Sequence, residues 1–211
     1  MRMPHPTPTA EPLPFERDSA APPVPPAYQP ALAIKPAAIA EFDALVHELQ
    51  PDAARVDAAR LQRLAGWLAS LPASEARRVI DDRMQRLQEL HAMVVDPAWD
   101  CDPALRVRLD KLFAYIDRHD DLIPDPTPLL GLLDDVLLIE LAWPTFAAEA
   151  EDFRDFCAYR RLEHPHGEPA EQRAAWMRDR LAELALLQHN ARVNDSHYAN
   201  GRTPEPVFRV A

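Results

Sequence analysis

In this chain of 211 residues, 34 Asp and Glu against 23 Lys and Arg leave a formal charge of −11, the wrong sign for gripping a phosphate backbone, so nucleic acid is set aside as a partner. Glycines number only four, Ala, Leu, Arg, Glu and Asp dominate, and β-branched residues are sparse, which predicts an all-α protein, a helical bundle of about six to seven helices. Cys101 and Cys157 stand far apart, outside any CxxC or Cys/His ligand spacing, so neither a disulfide scaffold nor a zinc site is indicated.

Residues 1–36 hold eleven prolines, a density that forbids helix and predicts a disordered arm, with APPVPP at 21–26 as the segment best suited to a proline-reading groove. From Ala37 the spacing becomes helical, and residues 37–190 are expected to form a single helical domain. Ile39, Phe42, Leu45, Val46 and Leu49 define a first helix closed by Pro51. A second runs from about Ala53 to Leu71 with Val56, Leu61, Leu64 and Leu68 inward. Ser74 is expected to cap a third that reaches about Val94, with RRVIDDRMQR supplying charge outward.

Beyond the DPAWDCDP turn, Leu105, Leu109, Leu112, Phe113 and Ile116 mark a fourth helix that should stop near Asp121 or Leu122, because Pro124 biases Ile123 away from helix. Thr127 and Pro128 suit the start of a fifth, from Leu129 to Trp143, which Pro144 kinks or ends; Thr145 to Leu162 and Pro169 to His189 give two more. Residues 191–211 read as a loose tail. The start MRMPHPTPTAEPLPF lacks a leader's apolar run, and the most apolar stretch, 129–143, carries three acids and is too short for about 30 Å of hydrocarbon. The expectation is a soluble, cytoplasmic protein without integral membrane insertion, peripheral membrane contact staying open.

The stretch 120–140, DDLIPDPTPLLGLLDDVLLIE, sets five aspartates around a proline corner beside an apolar helix. From Asp117 to Asp155 eleven acids face two arginines, a local balance of −9. Acids in the last turn of the fourth helix would oppose its dipole. Asp134 and Asp135, one helical turn after Gly131, fall on the seam of a helix otherwise built of Leu, Val and Ile, where a carboxylate needs arginines, backbone N–H groups or a metal ion. Arg106, Arg108, Lys111, Arg154, Arg160 and Arg161 are near enough in sequence to serve.

The pattern D-L-I-P-D-x-x-P-x-x-G-x-x-D-D, carried by Asp121, Leu122, Ile123, Pro124, Asp125, Pro128, Gly131, Asp134 and Asp135, resembles the hallmark of the YkvA-like family, a bacterial domain of unknown function, over roughly residues 105–141. His119 and Asp120 stand where that family has a small residue and a proline. The resemblance implies a helical hairpin of unassigned biochemical role, with some relatives associated with membranes, and supplies no catalytic residues.

Two readings of the corner follow. In the structural one, the aspartates bind backbone or arginine donors and hold two helices at a fixed angle, and the chain is a non-enzymatic interaction or regulatory module presenting an acidic surface to a protein partner. In the other, Asp121, Asp125, Asp134 and Asp135 converge on Mg²⁺, Mn²⁺ or Ca²⁺, and the chain is a divalent-metal-dependent hydrolase of a phosphate-containing substrate. Against the second, DDLIPD is not a DDxxD motif, no second acidic motif lies on another helix at the expected distance, and no glycine-rich phosphate loop exists. The His119–Asp120 dyad, with His47 or His91 upstream, and the His164/His166 pair are weaker metal candidates still, and nucleophile motifs are missing.

Overall fold

The computed structural model describes residues 11–15, 34–118, 122–123 and 130–199, of which 194–199 are described as backbone only. Among them are six helices and no strand: α1 Pro36–Leu49, α2 Ala58–Ser70, α3 Ala73–Val95, α4 Pro103–Ile116, α5 Leu133–Glu163 and α6 Pro169–Ala199. None is long and apolar enough to cross a membrane. The expected all-α class is what forms.

α1 opens on Pro36, whose missing N–H is no loss in the first turn, and buries Phe42, Val46 and Leu49 along one stripe. α2 begins at Ala58 rather than near Ala53, because the residues before it are held elsewhere. Asp43 of α1 accepts from the Val56 N–H at 2.8 Å and the Arg55 guanidinium at 2.7 Å, while His47 reaches the Ala53 carbonyl at 3.0 Å. Asp57 then caps α2 through the Arg60 N–H.

Burial pushes the Asp43 carboxyl upward, but the Val56 N–H, the Arg55 guanidinium and His47 outweigh it and hold the group below its ordinary value of 3.8. A depressed folded value means stability present above the unfolded value and lost as the pH falls through the folded one. Asp43→Asn should therefore lower stability by about 1 to 3 kcal/mol at neutral pH. In urea unfolding the gap from wild type should narrow below a pH of about 4 and close as the wild-type carboxyl protonates.

α3 lacks the expected Ser74 cap: the helix starts at Ala73 behind Pro72, and no side chain caps it. It also turns an arginine inward. Arg83 is 1% exposed, beside Ala76, Ile80, Leu90 and Met93, although its place in a charged run predicts the outer face. Its Nε lies 3.2 Å from Glu140, which Arg86 approaches at 2.9 Å. A buried guanidinium is tolerable only with such partners.

Asp102 caps α4 through the N–H groups of Ala104 and Leu105, with Pro103 in the first turn. Two expected helices then merge, since α5 runs through Pro144 as one helix. Proline leaves the Glu140 carbonyl without its helical donor, a defect of about 3 kcal/mol. Apolar burial on both sides offsets it, Val136 to Ile139 before and Phe146, Ala150 and Phe153 after. Thr145, next in the chain, ties the helix to the end of α1 by donating to the Leu49 carbonyl at 2.9 Å.

Contacts divide the helical residues into two units at Phe156, within α5, where the sequence predicts one domain over 37–190. The first unit carries α1 to α4 and most of α5, around a core that includes Phe42, Leu61, Leu68, Leu90, Leu109 and Phe146. The second carries the end of α5 and α6, joined by a loop in which Gly167 adopts a φ of +102°. Phe156 and Trp176 meet edge to face there at 5.7 Å. Among the described side chains of α6, Trp176 alone is buried.

Both ends of the chain depart from expectation. Within the predicted arm, residues 11–15 pack, burying Leu13 and Phe15; APPVPP lies outside the described residues. At the other end, α6 continues to Ala199 instead of fraying after Asn190. Polarity signals exposure, and with no Gly or Pro over that stretch it does not stop a helix.

Candidate functional site

α4 ends at Ile116, earlier than Pro124 alone requires, with Asp117 as its C-cap. Asp117, expected in its last turn, thus follows the helix, while Asp120 and Asp121 lie outside the described residues. The cause lies on α5. The Asp134 side chain is fully buried, and its Oδ2 accepts from the Tyr115 hydroxyl at 2.9 Å and from the N–H groups of Leu122 and Ile123 at 3.1 Å each. In a continuing helix those two N–H groups would point to carbonyls of residues 118 and 119. Asp134 captures them instead, and the chain turns.

The paradox of a carboxylate beside so much hydrocarbon dissolves in this geometry. Leu122, Ile123, Leu130 and Gly131 are buried around the corner, so its irregular backbone needs an acceptor that water cannot provide. Asp134 provides one, and as a member of α5's first turn it also sits at the favourable end of the helix dipole. The donors at Oδ2 are a tyrosine hydroxyl and two backbone N–H groups, the backbone being one of the partners the sequence offered alongside the arginines. Of those, Lys111 pairs with Glu48 and Arg154 with Glu89. Sequence reasoning missed Tyr115, though it continues the Leu109 and Leu112 face at a spacing of three, and a buried tyrosine hydroxyl requires a partner.

Asp135 is buried alongside, 3% exposed, while Asp121 and Asp125 lie outside the described residues. Among the described residues, no group of three or more His, Cys, Asp and Glu is arranged to hold a metal ion. His119 and Asp120 are likewise outside them. His47 turns its ring nitrogens to the carbonyls of Asp43 and Ala53, His91 stacks edge-on against Phe113, and His164 and His166 sit exposed in the α5–α6 loop. A shallow depression of about 410 Å³, lined by Gln50, Asp102, Arg108, Thr145 and Glu149 among others, includes neither Asp134 nor Asp135.

The acidic stretch does not form one solvated field. Asp134 and Asp135 are buried, Glu140 is paired with two arginines, and Glu149 accepts from the Trp99 indole at 3.0 Å. Asp117 and Glu151 are exposed. Cys101 is buried, and burial together with the charge of Glu149 raises its thiol, as suits an inert core residue.

Two further features stand out. The first is Glu140, where Arg83, Arg86 and the Leu13 N–H converge. The second is α6, on which Met177, Leu181, Leu184 and Leu187 are 49%, 64%, 47% and 46% exposed. Their spacing of three and four places them on one stripe that Ala191 continues. Arg178 and Arg192 border it on one side and Glu183 on the other, Arg180 lies within it against the Trp176 ring, and Asp179 with the exposed Leu186 falls on the opposite face. Comparison of the chain with protein-family models, with curated proteins and with solved structures gave no match.

Proposed function

We infer that this chain is a non-enzymatic interaction module that engages a protein partner, and that the α6 stripe is the contact. The observation that carries the reading is four large aliphatic side chains held in water on one helical face. Arg178, Arg180 and Arg192 lie beside or within that face and outnumber Glu183 at its other edge, in a chain of net charge −11, so the occupant it fits is an acidic amphipathic helix of another protein. The saturation of Asp134 Oδ2 by the chain's own donors supports the non-enzymatic half, since those lone pairs hold the corner together. The same proposal groups residues 105–141 with the YkvA-like hairpins they resemble. Supporting it are two helices, α4 and α5, that flank a corner closed by one of the pattern's aspartates.

The test uses a fluorescent designed helix with leucines on one face and glutamates beside them, titrated into the full chain by anisotropy. Saturable binding is expected, weaker by at least about tenfold in Leu181→Glu/Leu184→Glu, whose positions are exposed and leave the cores untouched. A lysine-flanked control should bind less tightly. Equal binding by wild type and double variant, or no binding, overturns the assignment.

A further inference from the structure

Side chains from α2, α3 and α5 surround the chain's own N-terminal segment. The Arg60 guanidinium lies 5.8 Å from the Phe15 ring centre. The Leu13 N–H donates to Glu140 at 3.2 Å, and Arg83 donates to the Glu11 carbonyl at 2.5 Å. Leu13 and Phe15 are 6% and 4% exposed.

These are the contacts of a peptide in a groove. Backbone is read at two points by charged side chains, and two apolar anchors two residues apart are buried. Pro12 and Pro14 fix their own φ angles, and Pro14 with Phe15 forms a turn, so the segment has less entropy to lose on binding. Arg60, Arg83 and Arg86 outnumber Glu140 and the Asp57 that lies 3.8 Å from Arg60, so the groove carries a net positive charge in an acidic protein, and glutamates at 11 and 16 flank the Leu-Pro-Phe core. Residues 16–33 link the segment to the helices. None of the contacts depends on that link, because a peptide from another molecule offers the same carbonyl, N–H and side chains. If the segment left, water would reach Arg83 and Glu140, which would still hold each other.

We propose that the cleft bounded by Arg60, Arg83, Arg86 and Glu140 is a peptide-binding groove occupied in cis by Glu11–Phe15, and that its partner in trans is an acid-flanked Leu-Pro-Phe type peptide that must displace this segment. The proposal deepens the interaction reading with a second, self-blocked surface. Its test leaves the α6 stripe untouched, so either can fail alone.

A labelled peptide of residues 9–18 is titrated into the full chain and into full-length Leu13→Asp/Phe15→Ser. The variant should bind it saturably in the micromolar range, and wild type about a hundredfold more weakly, because a tethered segment competes at an effective millimolar concentration. A peptide with serines in place of its leucine and phenylalanine should not bind. Failure of a cooperatively unfolding variant to bind, or equal binding by variant and wild type, overturns the proposal. Should the variant not fold, the full chain with a specific protease site between Ala20 and Ala21 decides. After cleavage the labelled peptide should exchange into the groove, and a cut segment that never exchanges overturns the proposal equally.

Discussion

Asp134→Ala is expected to lower stability by about 3 to 5 kcal/mol, one of the two largest single-residue effects anticipated in this chain. The side chain is fully buried and its Oδ2 serves three donors at once. Truncation would strand the Tyr115 hydroxyl and the two N–H groups where water cannot replace the acceptor. Each stranded donor costs about 1 to 3 kcal/mol, partly relieved by local rearrangement. Tyr115→Phe removes one donor and leaves the carboxylate bound to backbone, so it should cost nearer 1 kcal/mol. Denaturant unfolding monitored by helical circular dichroism gives both values. The same samples test the metal reading. With Mg²⁺, Mn²⁺ or Ca²⁺ the wild-type melting temperature should not move. A metal-dependent rise that Asp134→Asn abolishes would return the corner to the metal-centre reading.

Glu140→Leu should be of similar size, about 3 to 5 kcal/mol, for a different reason. Arg83 is 1% exposed, with Glu140 as the anion at its Nε. Replacing the glutamate leaves a buried cation uncompensated and removes the acceptor for the Leu13 N–H and for Arg86. The double variant Arg83→Met/Glu140→Leu should recover most of the loss, since exchanging a buried ion pair for hydrocarbon of similar size is often nearly neutral. A double-mutant cycle in urea reads the coupling. Additive losses would mean that Arg83 does not depend on Glu140.

The residue pattern carried the helical architecture because it is local. Phe42, Val46 and Leu49, or Leu109 and Leu112, repeat at helical spacing whatever they pack against, and Asp102 with Pro103 marks a start by chemistry within its own turn. Prolines misled where tertiary packing outweighs a local defect. Pro144 breaks one hydrogen bond, but apolar burial on either side holds α5 together across it. Arg83 misled for the mirror reason: a charged run predicts an outer face, and a glutamate more than fifty residues away, with the Val79 and Glu11 carbonyls, makes an inner one tolerable.

The aspartate corner shows the same division. Its acids, prolines and glycine were legible as an anomaly, and so was the need for buried carboxylates to find donors. Composition and periodicity by themselves determined an acidic, all-α chain with a conspicuous corner between two helices, and none of the helices among the described residues is long and apolar enough to cross a membrane. Which donors meet Asp134, which arginine turns inward, that Leu13 and Phe15 pack rather than hang free, and that α6 leaves its leucines in water were decided by tertiary structure. Each depends on groups distant in sequence, and the free energy of a buried charge or an exposed leucine is set by what surrounds it in space.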